Sequence, residues 1–297
     1  MFDSIDDAAT RLAAARYVTG RDVATTVFLA AKVGKPVLVE GEPGSGKSAL
    51  ANAVARALGA QLIRLQCFEG IYERAAVSDW SLARQLLRSH EAEQAGESRA
   101  DVERELWSED YLVKRPILEA ITGDSAKSSV LLIDDADRAD DRFIAFLSDF
   151  LLSFEVVVPE LGIVRASQRP LVFITSGRDR ELGEALRRRC LYQWLDYPGF
   201  EREHEIVAIH VPALPGPLIG QVCNFIQRVR GAGFSRPPGI AETLDWARAL
   251  AALRASGLDA QLVDQTLGCI LKRPDDIERF RSARFFESQQ PGLDRAG

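Results

Sequence analysis

Eight consecutive residues have the types and the spacing that bind the phosphates of a nucleotide. They read G-E-P-G-S-G-K-S and match the spacing G-x-x-x-x-G-K-[ST]. The residues are Gly41, Glu42, Pro43, Gly44, Ser45, Gly46, Lys47 and Ser48. Glycines at these positions let backbone N–H groups close around phosphate oxygens, while the lysine reaches the terminal phosphates and the serine hydroxyl ligates Mg²⁺. We therefore predict that residues 41–48 form a phosphate loop that binds a nucleoside triphosphate.

The elements that must hold this loop are predicted on both sides of it. Residues 36–40 are a short apolar run bounded by turn residues, which is typical of a buried parallel strand. Leu50, Val54 and Leu58 recur every four residues before Gly59, which predicts a helix that ends at a C′ glycine. A chance match in a structural loop is the alternative. The order strand, glycine loop, helix disfavours it, because this order places phosphate at a helix N-terminus.

A second candidate site follows the apolar run V-L-L-I at residues 130–133. Asp134 and Asp135 come next, at the carboxyl end of a predicted parallel strand, where open α/β sheets bind their ligands. Asp134 would hold Mg²⁺ through water, and Asp135 would orient or deprotonate an attacking water molecule. Acids also end strands at solvent without any function. Their position downstream of a phosphate loop favours the catalytic interpretation.

A run of three arginines at residues 187–189 follows the last-but-one predicted strand. An arginine at this place can reach the γ-phosphate bound by a neighbouring subunit and stabilise the charge that develops during phosphoryl transfer. We predict that either Arg188 or Arg189 acts as this arginine finger. A solvated face is the alternative.

The composition narrows the class of protein. The chain has 297 residues and a formal net charge of −6, which argues against broad electrostatic capture of nucleic acid, although a local basic pore would be compatible with it. Its four cysteines lie far apart without a C-x-x-C pair, so we expect reduced core thiols. The acidic N-terminus lacks a signal-peptide pattern, and no apolar run approaches the length that spans a membrane. We therefore expect a cytoplasmic protein.

The predicted fold class is α/β, with a parallel sheet flanked by helices and a small C-terminal all-α lid. The first domain, a nucleotide-binding core, covers residues 1–211 and includes an insertion at about 68–120 and a β-hairpin at 155–165. The insertion ends in a predicted helix at 112–121. A connector rich in proline and glycine, V-P-A-L-P-G-P, separates the core from a helical lid at 212–297.

These stretches together resemble an AAA+ P-loop ATPase of the MoxR type. The resemblance rests on VLVEGEPGSGKS, LLIDDADRADDRF, VFITSGR and EALRRRCLYQWLDYPGFERE. The stretches AAVSDWSLARQLL and LWSEDYLVKRPILEAI further resemble the CoxD-like branch, which is accessory to molybdenum-containing carbon monoxide dehydrogenases. The similarity extends over almost the whole chain.

The resemblance implies an activity and a set of partners. It implies ATP and Mg²⁺ as cofactors and a homo-hexameric ring with ATP at the subunit interfaces. It also implies a partner that carries a von Willebrand factor A domain, and chaperone-like remodelling of an apo-metalloenzyme client such as a molybdenum hydroxylase. The hairpin at 155–165 matches a family insert that faces the ring pore or the client. Neither nucleic acid nor an integral membrane segment is expected.

The chain departs from the family at three positions that matter for hydrolysis. Asp135 stands where the family usually has glutamate, and Gly177 stands where sensor 1 usually has asparagine. A clear sensor-2 arginine is missing unless Arg236 serves. ATP binding should survive these changes, but hydrolysis depends on a water molecule placed to within about 1 Å. We therefore predict a slow ATPase, or alternatively an ATP-gated assembly module with little or no hydrolysis. A nucleic-acid motor is a third, less favoured alternative.

Overall fold

The computed structural model describes residues 1–123 and 129–283. The strands are β1 (Val37–Gly41), β2 (Gln61–Gln66), β3 (Ser78–Trp80), β4 (Leu112–Lys114), β5 (Ser129–Asp134), β6 (Glu155–Val158), β7 (Gly162–Arg165), β8 (Leu171–Ser176) and β9 (Leu191–Leu195). The helices are α1 (Ile5–Ala14), α2 (Arg21–Val33), α3 (Lys47–Leu58), α4 (Glu73–Val77), α5 (Leu82–Ala95), α6 (Arg99–Leu106), α7 (Pro116–Thr122), α8 (Asp141–Ser153), α9 (Glu184–Arg187), α10 (Phe200–His210), α11 (Gly216–Gly231), α12 (Ile240–Ala252), α13 (Ala260–Thr266) and α14 (Pro274–Ser282).

The chain forms two compact units. The first comprises Met1–Ala15, Gly20–Gly41 and Lys47–Trp194. The second comprises Arg16–Thr19, Glu42–Gly46 and Leu195–Gly297, of which the structure describes residues up to 283.

The first unit is built on a five-stranded sheet with the order β2-β5-β8-β1-β9. The pairs β2–β5, β5–β8 and β1–β8 are parallel, which confirms the predicted α/β class. The three central strands are almost continuously buried, because helices cover both faces of a parallel sheet. The register aligns Gln66 with Asp134 and Glu40 with Ser176, so the carboxyl ends of these strands meet at one edge.

Helix α8 anchors the core of this unit through one apolar face. Phe143, Leu147, Phe150 and Leu151 on that face are all buried in the main hydrophobic cluster. The sequence predicts an apolar stripe of core residues at the helical period, and all of its members except the half-buried Phe146 are buried: Phe143, Phe146, Leu147, Phe150, Leu151 and Phe154. The helix begins at the cap Asp140, whose side chain accepts a hydrogen bond from the backbone N–H of Phe143.

The insertion differs from its prediction at one element. A single helix at 112–121 was expected, but residues Leu112–Lys114 form β4, which pairs antiparallel with β3, and α7 begins only at Pro116. The prediction was wrong because Pro116 excludes the helical conformation from Arg115 and fits the first turn of a helix. The predicted hairpin at 155–165 is confirmed as β6 and β7, with Glu160 and Gly162 at positive φ in its turn.

The second unit is helical from α10 to α14. Its core surrounds the fully buried Trp246, whose ring lies 5.2 Å from that of Phe225. The longest segment of this unit begins at Leu195, whereas the sequence places a boundary at residue 212. Val207 and Val211, which precede residue 212, pack into the helical cluster of this unit. The division into domains at 212 itself stays a prediction.

No helix within residues 1–123 and 129–283 is long and apolar enough to cross a membrane.

Candidate functional site

The phosphate loop connects the end of β1 at Gly41 to the start of α3 at Lys47. Gly44 and Gly46 have φ values of +74° and +97°, which favour glycine over any residue with a Cβ atom. The Lys47 ammonium donates a hydrogen bond to the carbonyl oxygen of Gly41 at 2.8 Å. The Ser45 Oγ atom is buried and has no hydrogen-bond partner among the described residues. The loop thus has the backbone that the motif requires and an unpaired polar atom within it.

Within the second unit, the loop backbone lies against the start of α12. The Ile240 N–H donates to the Gly44 carbonyl oxygen at 2.9 Å. A Cβ atom at Gly239 would stand only 2.8 Å from both the Gly44 Cα and the Pro43 oxygen. The Tyr197 hydroxyl also donates to the Pro43 oxygen, at 3.2 Å. Position 239 therefore accepts glycine alone at this backbone conformation.

The predicted metal ligands lie side by side in the first unit. The Ser48 Oγ donates to Asp134 Oδ1 at 2.7 Å, and the Thr175 hydroxyl donates to the same oxygen at 2.5 Å. Asp134 is only 1% exposed. Hydroxyl and carboxylate oxygens are the ligands that Mg²⁺ prefers, so the donor set fits this ion. We call Ser48, Asp134, Thr175 and Arg64 the metal side of the site.

Two side chains of β2 that sequence reasoning missed contact the two acids. Arg64 donates from Nε and Nη2 to Asp134 Oδ2 at 3.0 and 2.5 Å, and Gln66 donates to Asp135 Oδ2 at 2.9 Å. The signal for them was the alternation of the strand, which places residues 64 and 66 on one face and the buried 63 and 65 on the other.

Asp135 lies in a different environment from Asp134. Its backbone adopts the left-handed conformation at φ 55° and ψ 49°, which aspartate tolerates better than most residues. Its N–H donates to the Thr175 hydroxyl at 2.9 Å. Gly177 offers no side chain, and a Cβ atom there would lie 3.5 Å from Asp137 Oδ2. We call Asp135, Gln66, Asp137 and Gly177 the water side of the site.

Asp137 was not singled out from the sequence, yet it is 4% exposed. Its Oδ2 atom accepts a hydrogen bond from the Asp179 N–H at 2.8 Å, while its Oδ1 atom is buried without a hydrogen-bond partner among the described residues. The water side therefore contains one buried carboxylate oxygen that is unsatisfied, unlike the metal side.

The three arginines have different surroundings. Arg187 is engaged with the buried Glu40 at 2.6 Å, and the Tyr192 hydroxyl donates to the same carboxylate at 3.1 Å. Arg188 has a side chain 78% exposed and pairs with Glu184 one helical turn before it. Arg189 has a buried Nε atom without a hydrogen-bond partner among the described residues. The contacts of Arg187 are structural, and the choice of finger between Arg188 and Arg189 stays a prediction.

Whether Arg236 serves as the sensor-2 arginine stays a prediction. Arg236 is exposed. The side chain of Arg230 is 8% exposed, pairs with Glu203 at 2.6 Å, lies over the Tyr197 ring at 4.7 Å and donates to the Pro238 oxygen at 2.7 Å. These contacts commit Arg230 to the packing of the second unit.

The insertion and the hairpin border a groove of about 690 Å³. Its lining is rich in aromatic and apolar side chains, including Tyr72, Trp80, Trp107 and Val157. The Trp80 and Trp107 rings meet edge to face at 5.0 Å, and the Trp80 Nε1 atom is buried without a hydrogen-bond partner among the described residues. Tyr72 and Val157 are more than half exposed. Apolar surface is therefore available beside the hairpin.

Comparison with known proteins identifies a family for this chain. A family model described as "AAA ATPase domain" matches residues 22–175. Structural similarity was found to RuvB of Thermotoga maritima. One point mutant has a TM-score of 0.49 and 15% identity over 98% of this chain and 80% of that chain. A second mutant (14% identity) and the RuvB Holliday junction branch migration motor (15%) each have a TM-score of 0.46, over 92% of this chain and 76% of theirs. No curated protein matched the sequence.

Proposed function

The chain belongs to the AAA ATPase domain family, and from this premise we propose that it binds ATP with Mg²⁺ at residues 41–48 and hydrolyses ATP slowly. The observation that carries the proposal is the contact of Ser48 with Asp134 at 2.7 Å, directly after a glycine loop with two positive φ values. The Ser48 hydroxyl and the Asp134 carboxylate would hold Mg²⁺, which would supply positive charge beside the phosphates.

The proposed roles follow from the positions of the side chains. Lys47 lies at the start of α3, where its charge and the helix N-terminus together attract phosphate. Ser48 would ligate Mg²⁺, and Asp134 would hold it through water. Mg²⁺, when bound, supplies positive charge opposite the phosphoryl oxygens. Arg188 or Arg189 would stabilise the negative charge that develops on the phosphoryl oxygens of a nucleotide bound by a neighbouring subunit.

Slow hydrolysis follows from the water side. Asp135 is one methylene shorter than glutamate, its carboxylate is held by Gln66, and Gly177 has no amide to polarise a water molecule. Losing one preorganised polar group typically costs about 10²–10³ in rate. Two such losses leave nucleotide binding intact while they lower turnover by orders of magnitude. An ATP-gated assembly module with negligible turnover is the second candidate, and the same two positions favour it.

We propose a wider role on the basis of the MoxR-type, CoxD-like resemblance. The chain would act as a cytoplasmic homo-hexameric chaperone that remodels an apo-metalloenzyme, such as a molybdenum hydroxylase of the carbon monoxide dehydrogenase kind, with a partner that carries a von Willebrand factor A domain. The exposed apolar side chains Val157 and Ile163 of the hairpin support contact with a client polypeptide. Co-purification in ATP and mass measurement of the assembly would test the client and the ring.

ATP binding is tested by replacing Lys47 with alanine. We expect the affinity for a fluorescent ATP analogue to fall about 100-fold, because the variant loses the one charge that the motif directs at the terminal phosphates. Equilibrium titration of the purified chain measures this affinity. The exposed Lys35 provides the matched control, and Lys35→Ala should keep the wild-type affinity. Equal affinities for wild type and Lys47→Ala would refute nucleotide binding at residues 41–48.

A further inference from the structure

We propose that the Arg64 guanidinium pairs with the Asp134 carboxylate until Mg²⁺ displaces it. Arg64 thereby sets the Mg²⁺ concentration at which the metal site is half filled. This inference rests on the proposed binding of Mg²⁺ with ATP and adds a residue that tunes it. Arg64 is a positioning residue here, since it acts on the metal through Asp134.

The hydrogen bonds of Asp134 leave little room for a further ligand. Its Oδ1 atom accepts from Ser48 and Thr175, and its Oδ2 atom accepts twice from Arg64. A carboxylate offers about four lone-pair sites, so these four contacts fill it. A metal ion, or a water molecule that it carries, must therefore replace at least one of the present donors.

The burial of Asp134 explains why a cation is kept beside it. The side chain of Asp134 is 2% exposed, and a buried carboxylate without a compensating charge is strongly destabilising. The Arg64 guanidinium supplies that charge with two hydrogen bonds to one oxygen. The side chain of Arg64 is itself 56% exposed, so the guanidinium can leave Asp134 and be solvated without a burial penalty.

The arginine and the metal ion compete because both are cations that seek the same carboxylate. With Arg64 in place, a second positive charge enters against electrostatic repulsion, and this repulsion is moderated by the solvent exposure of the guanidinium. A second contact holds Arg64 in place, since its Nη2 atom donates to Gln66 Oε1 at 2.6 Å. The metal must therefore displace an arginine fixed at two acceptors.

The test measures the metal directly. Mn²⁺ binding to the purified full chain, saturated with a non-hydrolysable ATP analogue, is followed by electron paramagnetic resonance for wild type, Arg64→Gln and Arg64→Lys. We expect Arg64→Gln to lower the half-saturating Mn²⁺ concentration about tenfold, because it removes the competing charge. Arg64→Lys retains the charge but loses the paired hydrogen bonds of the guanidinium, so its half-saturating Mn²⁺ concentration should lie between those of wild type and Arg64→Gln.

The outcomes separate the inference from the function on which it rests. Unchanged or weaker Mn²⁺ binding by Arg64→Gln overturns the inference and leaves ATP binding untouched. A wild-type chain that binds neither the analogue nor Mn²⁺ overturns both.

A second test uses the wild-type chain, so it does not depend on whether a substituted chain folds. In ¹⁵N spectra, the Arg64 Nε–H should be protected from exchange when the ATP analogue is bound in excess chelator, and should lose that protection when Mg²⁺ is added. Protection that persists with Mg²⁺ contradicts the displacement of Arg64.

Discussion

The metal side and the water side of the site begin at adjacent residues, yet they are built differently. On the metal side, Asp134 is buried and both of its oxygens are hydrogen-bonded. On the water side, Asp135 is partly exposed in a left-handed conformation, Gly177 lacks a side chain, and Asp137 keeps an unsatisfied oxygen. We therefore expect nucleotide binding and nucleotide hydrolysis to depend on separate residues in this chain.

The largest effect is expected on Mn²⁺ affinity, when Asp134 and Asp135 are replaced one at a time. Asp134→Asn should weaken Mn²⁺ binding by about 10–100-fold, as is typical for loss of an outer-shell metal partner. Asp135→Asn, the matched change on the water side, should leave Mn²⁺ affinity within about twofold. Titration with Mn²⁺ measures the affinity of both variants. Equal losses of metal affinity in the two variants would break the distinction between the sides.

An intermediate effect is expected at Gly239, which concerns binding and not hydrolysis. Gly239→Ala places a Cβ atom 2.8 Å from two backbone atoms of the phosphate loop, so the loop must shift. Overpacking of this kind costs about 1–3 kcal/mol, which predicts a loss of ATP affinity of about tenfold. Gly268→Ala is the control in the same unit, because a Cβ atom there meets nothing within 4 Å. Wild-type affinity in Gly239→Ala would show that the loop tolerates the shift.

The smallest effect is expected on the pKa of the Cys67 thiol, which responds to the charges of Asp134 and Asp135. Burial is the main cause that raises the pKa of the Cys67 thiol, from 9.0 to about 12, and the charges of Asp135 and then Asp134 add to it. Asp135→Asn should therefore lower the pKa of Cys67 more than Asp134→Asn does. Thiolate absorbance during alkaline titration measures it, in a chain whose other three cysteines are replaced by alanine. The reverse order would contradict the assigned positions of the two charges.

The same raised pKa sets the direction of a stability change. Below pH 9 the thiol is protonated in both the folded and the unfolded chain, so its contribution to stability is complete. Between about pH 9 and 12 the unfolded chain releases the proton first, and the free energy of unfolding should fall by about 1.4 kcal/mol per pH unit for this thiol. Replacing Cys67 with alanine should reduce that slope.

The sequence predicted the parts of the site that depend on local patterns. The phosphate loop follows from spacing, and the strands before Gly41 and Asp135 follow from apolar runs bounded by turn residues. The alternation in β2 was also visible, but nothing local shows that Arg64 reaches Asp134, 70 positions further along the chain. The pairing of β3 with β4 was missed for the same reason, since it depends on a contact between segments that the chain separates by two helices.

The central claim is that wild type binds ATP well and hydrolyses it slowly because the water side is incomplete. Phosphate release and ATP-analogue affinity of wild type, compared with the double variant Asp135→Glu with Gly177→Asn, test this most directly. We expect hydrolysis to rise at least about tenfold in the double variant, with affinity within about twofold. Asp135→Glu with Gly177→Ala, which lacks the added amide, should gain less. Hydrolysis by wild type as fast as by the double variant would contradict the claim.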